Sequence, residues 1–161
     1  MQKDNLELSV TRLIDAPPET VYRAWIGRPD DWFAPKPWTT PTTEWDLSAG
    51  GRMFTVMRSP EGEDMAEEGL FLEVVPNEKI VFTNMFAAGW EPRRLSGDGC
   101  DLGMVAIVTF EPEGSGTRYT ARVLHWDEAT LKRHEEIGFH EGWAQCTAQL
   151  AEIAEAETVS A

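Results

Sequence analysis

The 161-residue chain carries 28 acidic and 14 basic residues, for a formal net charge of −14. This balance argues against nucleic acid and anionic membrane surfaces as partners, because both need clustered Lys and Arg. The length suits one domain, residues 1–161, and no apolar run approaches the ~18 residues of a membrane span.

The first ten residues, MQKDNLELSV, lack the apolar segment of a secretory leader. Cys100 and Cys146 are too few for a disulfide scaffold and read as free thiols in a reducing cytoplasm. Acidic residues gather at 61–68 and along 127–155, which reads first as solubility. Seven Trp and seven Phe accompany only two Tyr. Rings of that size must fill an aromatic core or line a pocket.

In chain order, residues 6–14 alternate apolar and polar side chains and read as a strand. Pro17 and Pro18 suit a first helical turn, Glu19 complements its dipole, and Gly27 closes the helix. Residues 28–33 look like a second short helical piece, and the three prolines of 34–41 make an irregular segment. From about residue 42 the period is two. Strands are expected at 42–47, 51–58, 67–75, 79–86, 103–111 and 117–126, joined by turns. Residues 87–101 have no period, contain Gly89, Gly97 and Gly99, and read as a long loop over one mouth of any cavity. Asp127 is a plausible N-cap for a C-terminal helix with a short turn near 127–132 and a main body from about 134. The core spans about 6–155, with 156–161 a frayed tail.

Strands and helices do not alternate, so the class is α+β. A curved antiparallel sheet of about six or seven strands needs a cover for its apolar face. Only the C-terminal helix is long enough. Phe139, Trp143, Cys146, Leu150 and Ile153 recur at spacings of 4, 3, 4 and 3, one face of that helix. Gly138 and Gly142 sit beside these rings, where each costs roughly 1 kcal/mol relative to alanine in a helix interior. Two explanations stand: a close helix–sheet approach, or a flank left bare beside a cavity walled by Phe139 and Trp143.

The segments EWDLSAGGRM (44–53), EGLFLEVVPNEKIVFTN (68–84), GTRYT (116–120) and GFHEGW (138–143) resemble the family of homologues of the activator of the heat-shock protein 90 ATPase. That family lies within the START-like (SRPBCC) superfamily, and the resemblance runs from about residue 6 to 155. It implies a helix-grip fold with two short helices after the first strand. It also implies a hydrophobic ligand held between sheet and C-terminal helix, and a stress-related role. A chaperone partner is the alternative the family name carries, and an aromatase/cyclase-like or hydrolase-like enzyme is a further one.

Candidate ligand-binding residues are the aromatic and methionine set Trp25, Trp32, Phe33, Trp38, Met53, Met57, Phe71, Phe82, Trp90, Phe139 and Trp143, with Tyr119, His125 and Gly142. Small-molecule sites are mostly apolar with few polar groups, and methionine is an adaptable liner. His125 lies in phase with Tyr119, Ala121 and Val123, either a hydrogen-bonded strand end or an acid/base group. Glu73, in phase with Gly69 and Phe71, would be an inward carboxylate paired to Arg52, Arg58 or Arg122. HEEIGFH (134–140) is not a zinc motif, because the second histidine of an i, i+4 pair would fall on Gly138. No catalytic constellation, metal site or cofactor is expected. A hydrophobic small molecule is the expected partner. A homodimer would cover Phe54 and Val56 if the Met53–Met57 face points inward.

Overall fold

Residues 6–97 and 101–160 are described by the structure, a computed structural model. Cys100 and part of the segment 87–101 therefore lie outside the described residues.

The chain enters on β1 (Glu7–Ile14), then forms α1 (Pro18–Gly27) and α2 (Pro29–Trp32). Pro17 caps α1, with Pro18 as its first helical residue, a place where the missing N–H costs nothing. The strands β2 (Thr39–Trp45), β3 (Arg52–Arg58), β4 (Asp64–Val75) and β5 (Lys79–Thr83) follow as a meander. A small hairpin of β6 (Phe86–Ala87) and β7 (Glu91–Pro92) precedes the long hairpin β8 (Met104–Glu113) and β9 (Gly116–His125). Two helices close the chain, α3 (Glu128–Glu136) and α4 (Phe139–Ser160).

Seven strands make one antiparallel sheet in the order β1-β9-β8-β5-β4-β3-β2. β1 and β2 are its edges, and α1 and α2 carry the chain from one edge to the other. α4 packs against β1 and the other three helices. This is the helix-grip architecture.

Three departures from the sequence expectations have local causes. β2 starts at Thr39 rather than 42, and its register shifts between Thr39 and Thr42. Pro41 lies in that shift, tolerated because an edge strand has one row of N–H groups without ladder partners. β5 stops at Thr83. The Asn84 side chain donates to the Leu102 carbonyl and accepts from the Met104 N–H, at 2.6 and 3.0 Å, taking the chain out of the ladder. The C-terminal helix is two helices. Asp127 caps α3 by accepting from the Thr130 N–H at 2.8 Å. Gly138 then stands between α3 and α4 at φ +102°, so it is a helix stop rather than a helix interior.

The core is rich in rings. Trp25 is almost fully buried and meets Trp32, Trp45 and Phe82 at centroid separations of 5.2, 5.1 and 6.0 Å. The α4 stripe expected from spacing joins it: Phe139 and Leu150 are buried, and Trp143, Cys146 and Ile153 pack against them.

Candidate functional site

A cavity of about 270 Å³ lies between α4 and the concave face of the sheet. Its walls come from four directions. Trp25, Trp32 and Phe33 come from α1, α2 and the residue after it. Met53, Met57, Phe82 and Tyr119 come from alternating positions on β3, β5 and β9. Phe139, Gly142 and Trp143 come from the first turn and a half of α4. His134 and Ile137 reach it from the end of α3. Alternation on the strands and the helical period on α4 aim these side chains inward together.

Gly142 borders open space: a Cβ built there would have no atom within 4 Å. The flank beside Phe139 and Trp143 is therefore bare, and no tight backbone contact occupies it.

Four residues singled out in the sequence do not border this space. Phe71 is fully buried behind Trp45, at 5.9 Å, and belongs to the core. Trp38 is half-buried beyond α2. Trp90 is exposed, edge-on to Phe86 at 6.3 Å. It lies over Gly50, where a Cβ would stand 2.9 Å from its ring. His125 is buried behind His134.

Glu73 is not an inward carboxylate. The β4–β5 register shifts between Phe71 and Glu73, so Leu72 is the extra residue of a bulge and the alternation inverts beyond it. Glu73 is exposed and pairs with Lys79 at 3.2 Å. Two carboxylates do border the cavity, Glu67 and Glu68. Glu67, two strand positions before Gly69, is the one without an ion-pair partner among the described salt bridges, since Glu68 pairs with Arg52. Burial raises its pKa to about 7, opposed by the charge of Arg93 and reinforced by that of Asp101. Arg52, proposed above as a partner for Glu73, pairs with Glu44 and Glu68 and lays its guanidinium 4.4 Å over the Phe54 ring. Phe54 and Val56 are half-buried.

Among the other polar groups that line the cavity, three are titratable groups with shifted pKa values. Tyr119 accepts a hydrogen bond from Trp25 Nε1 at 3.3 Å, and burial raises its pKa, so it stays a neutral phenol. Cys146 donates weakly to the Phe33 carbonyl at 3.6 Å, its thiol pushed up to about 12 by burial. It is no thiolate nucleophile at neutral pH. His134 hydrogen bonds to His125 at 2.8 Å, and burial together with the neighbouring imidazole lowers its pKa to about 4. His140, six residues on, is outside with Glu135 at 3.2 Å. Among the described residues no cluster of three or more His, Cys, Asp or Glu is placed to hold a metal. No described helix is long and apolar enough to cross a membrane. Chemically, the site can enclose a mainly apolar molecule and hydrogen bond to it at a few fixed points.

The family model described as Activator of Hsp90 ATPase homolog 1-like protein matches residues 15–155. The chain belongs to this family. A solved protein from Nitrosomonas europaea is similar at 34% identity, with a TM-score of 0.89 over 98% of this chain and 99% of the other. A protein from Chromobacterium violaceum is 26% identical, with a TM-score of 0.72 over 93% and 97% of the two chains. An AHSA1 protein from Silicibacter pomeroyi shares the fold at 21% identity and a TM-score of 0.67, over 94% of this chain and 99% of that one. No curated protein matches the sequence. Family and fold together support a ligand-binding or co-chaperone-like module in general terms.

Proposed function

We propose that the protein binds a hydrophobic, ring-containing small molecule in the cavity between the sheet and α4. The observation that carries this reading is the space itself: about 270 Å³, walled by Trp, Phe and Met side chains, with Gly142 leaving one helix flank open. A cavity of roughly 150 Å³ lined by Leu, Ile and Phe holds benzene, so this one suits about two fused rings. Ligand sites of this kind are apolar with a few placed polar groups. Glu67, Tyr119 and His134 are those groups here. The buried Cys146 thiol and the neutral Tyr119 phenol favour binding over covalent chemistry.

The test is a calorimetric titration of the purified protein with 2-methylnaphthalene. Saturable binding of one molecule per chain is the expected result. No binding, joined with a change in a cognate chaperone's ATP turnover when the protein is added, would replace this reading with the co-chaperone one.

A further inference from the structure

Two imidazoles in series fix the protonation of the nitrogen that meets the cavity. His125 Nδ1 lies 3.0 Å from the Leu6 carbonyl oxygen. A carbonyl only accepts, so Nδ1 carries the hydrogen, and in the neutral ring Nε2 is bare. That bare Nε2 faces His134 Nδ1 at 2.8 Å. His134 Nδ1 must therefore donate, and His134 Nε2 is left as a lone pair.

The surroundings keep both rings neutral. Burial lowers the pKa of each. Glu135 is the charged group that favours protonation of His125. The other neighbours of His134 are apolar rings, Phe139 at 4.9 Å and Trp143 at 6.4 Å between centroids, both edge-on.

No described residue hydrogen bonds to His134 Nε2, yet no buried side-chain nitrogen or oxygen among the described residues lacks a partner. Nε2 is therefore not sealed in the protein interior, and half-buried His134 lines the cavity, where this nitrogen is available to a bound molecule.

We infer that His134 Nε2 is a fixed hydrogen-bond acceptor within the cavity, and that the natural ligand is a ring system bearing a hydroxyl or N–H donor, such as a phenol. This rests on the cavity being a binding site. A carboxylate or sulfonate would set its charge against the lone pair. A pure hydrocarbon would leave the nitrogen unpaired and should bind more weakly than an analogue of the same shape that carries a donor. His125 acts through His134, holding its tautomer, much as an outer partner orients a metal-bound histidine.

The test compares 2-naphthol with 2-methylnaphthalene, which have the same shape and differ in the donor. In calorimetric titrations near pH 7.5, the ratio of their affinities should fall about tenfold from wild type to His134→Phe, with 2-methylnaphthalene still bound. A second measurement needs no variant. Long-range proton–nitrogen correlation of the wild-type histidines should show both rings protonated at Nδ1 and bare at Nε2. The His134 Nε2 resonance should move on adding 2-naphthol and stay on adding 2-methylnaphthalene. A His134 ring protonated at Nε2, a resonance unmoved by bound 2-naphthol, or an unchanged affinity ratio overturns the inference while leaving the binding reading intact. Failure of both probes to bind overturns the binding reading itself.

Discussion

Glu67 is the cavity carboxylate whose ionisation burial opposes. Its folded-state pKa of about 7 lies above the usual 4.5 of a glutamate, chiefly through burial. A raised carboxyl pKa means the folded state holds its proton longer than the unfolded state. The resulting stability is full below about pH 4.5 and is lost as pH rises through about 7. Glu67→Gln removes that loss. The variant should exceed wild type by roughly 1–3 kcal/mol in denaturant melts at pH 8, with the gap closing towards pH 4. An equal gap at both pH values would show that the carboxylate is not held in an apolar environment. The sequence alternation placed residues 67 and 73 in phase with Phe71 alike. Nothing in the pattern marks Leu72 as a bulge, because the extra residue shows only when β4 pairs with β5. Period-two reading therefore found the correct inward face of β4 but took the wrong carboxylate from it. His134 was equally hidden. Its sequence neighbourhood invites a metal reading, and its real partner, His125, is brought to it by the turn from β9 into α3.

The two glycines beside the α4 rings make opposite predictions at the scale of the helix pair. Gly138 sits at φ +102°, with Glu141 Oε2 at 3.7 Å as the nearest atom to a built Cβ. Space is available, and the backbone conformation is what excludes a side chain. Gly138→Ala should lower stability by about 1–3 kcal/mol. Gly142 has helical geometry and nothing within 4 Å of a built Cβ. Gly142→Ala should raise stability by up to roughly 1 kcal/mol. Gly142→Leu should keep or raise the denaturation midpoint while reducing affinity for 2-methylnaphthalene at least about tenfold. A clearly lowered midpoint for Gly142→Leu would mean that the helix packs closely there in solution. The apolar stripe of α4 was legible from spacing because five large side chains repeat with the helical period. The break at Gly138 was not, since a glycine at the end of one helix and one inside the next look alike in sequence. The hairpin of β6 and β7 was missed for a related reason. With two residues per strand it is too short to show a period, and it is held by turn geometry.

At the scale of the molecule, the order of the long strands and of the helices was legible apart from the β6–β7 hairpin and the break at Gly138, because the long strands alternate and turn residues such as Gly, Pro, Asn and Asp lie near their ends. What the pattern left open was whether so many rings fill the interior or surround a space. Both outcomes are present. Trp25, Trp45 and Phe71 close one part of the sheet–helix interface as a packed ring cluster. Next to it, the absence of a side chain at Gly142 and the end of α3 at Ile137 and Gly138 leave a cavity. The net charge of −14 favours solubility.

The central claim, that this space is a ligand site, is tested most directly by a crystal structure of the protein soaked with 2-naphthol. The account predicts one ring system between Gly142, Phe139 and Met53, with its hydroxyl within hydrogen-bond distance of His134 Nε2. An interior closed by repacked Trp25, Trp32 and Trp143 rings, with 2-naphthol absent or confined to the surface, would contradict it.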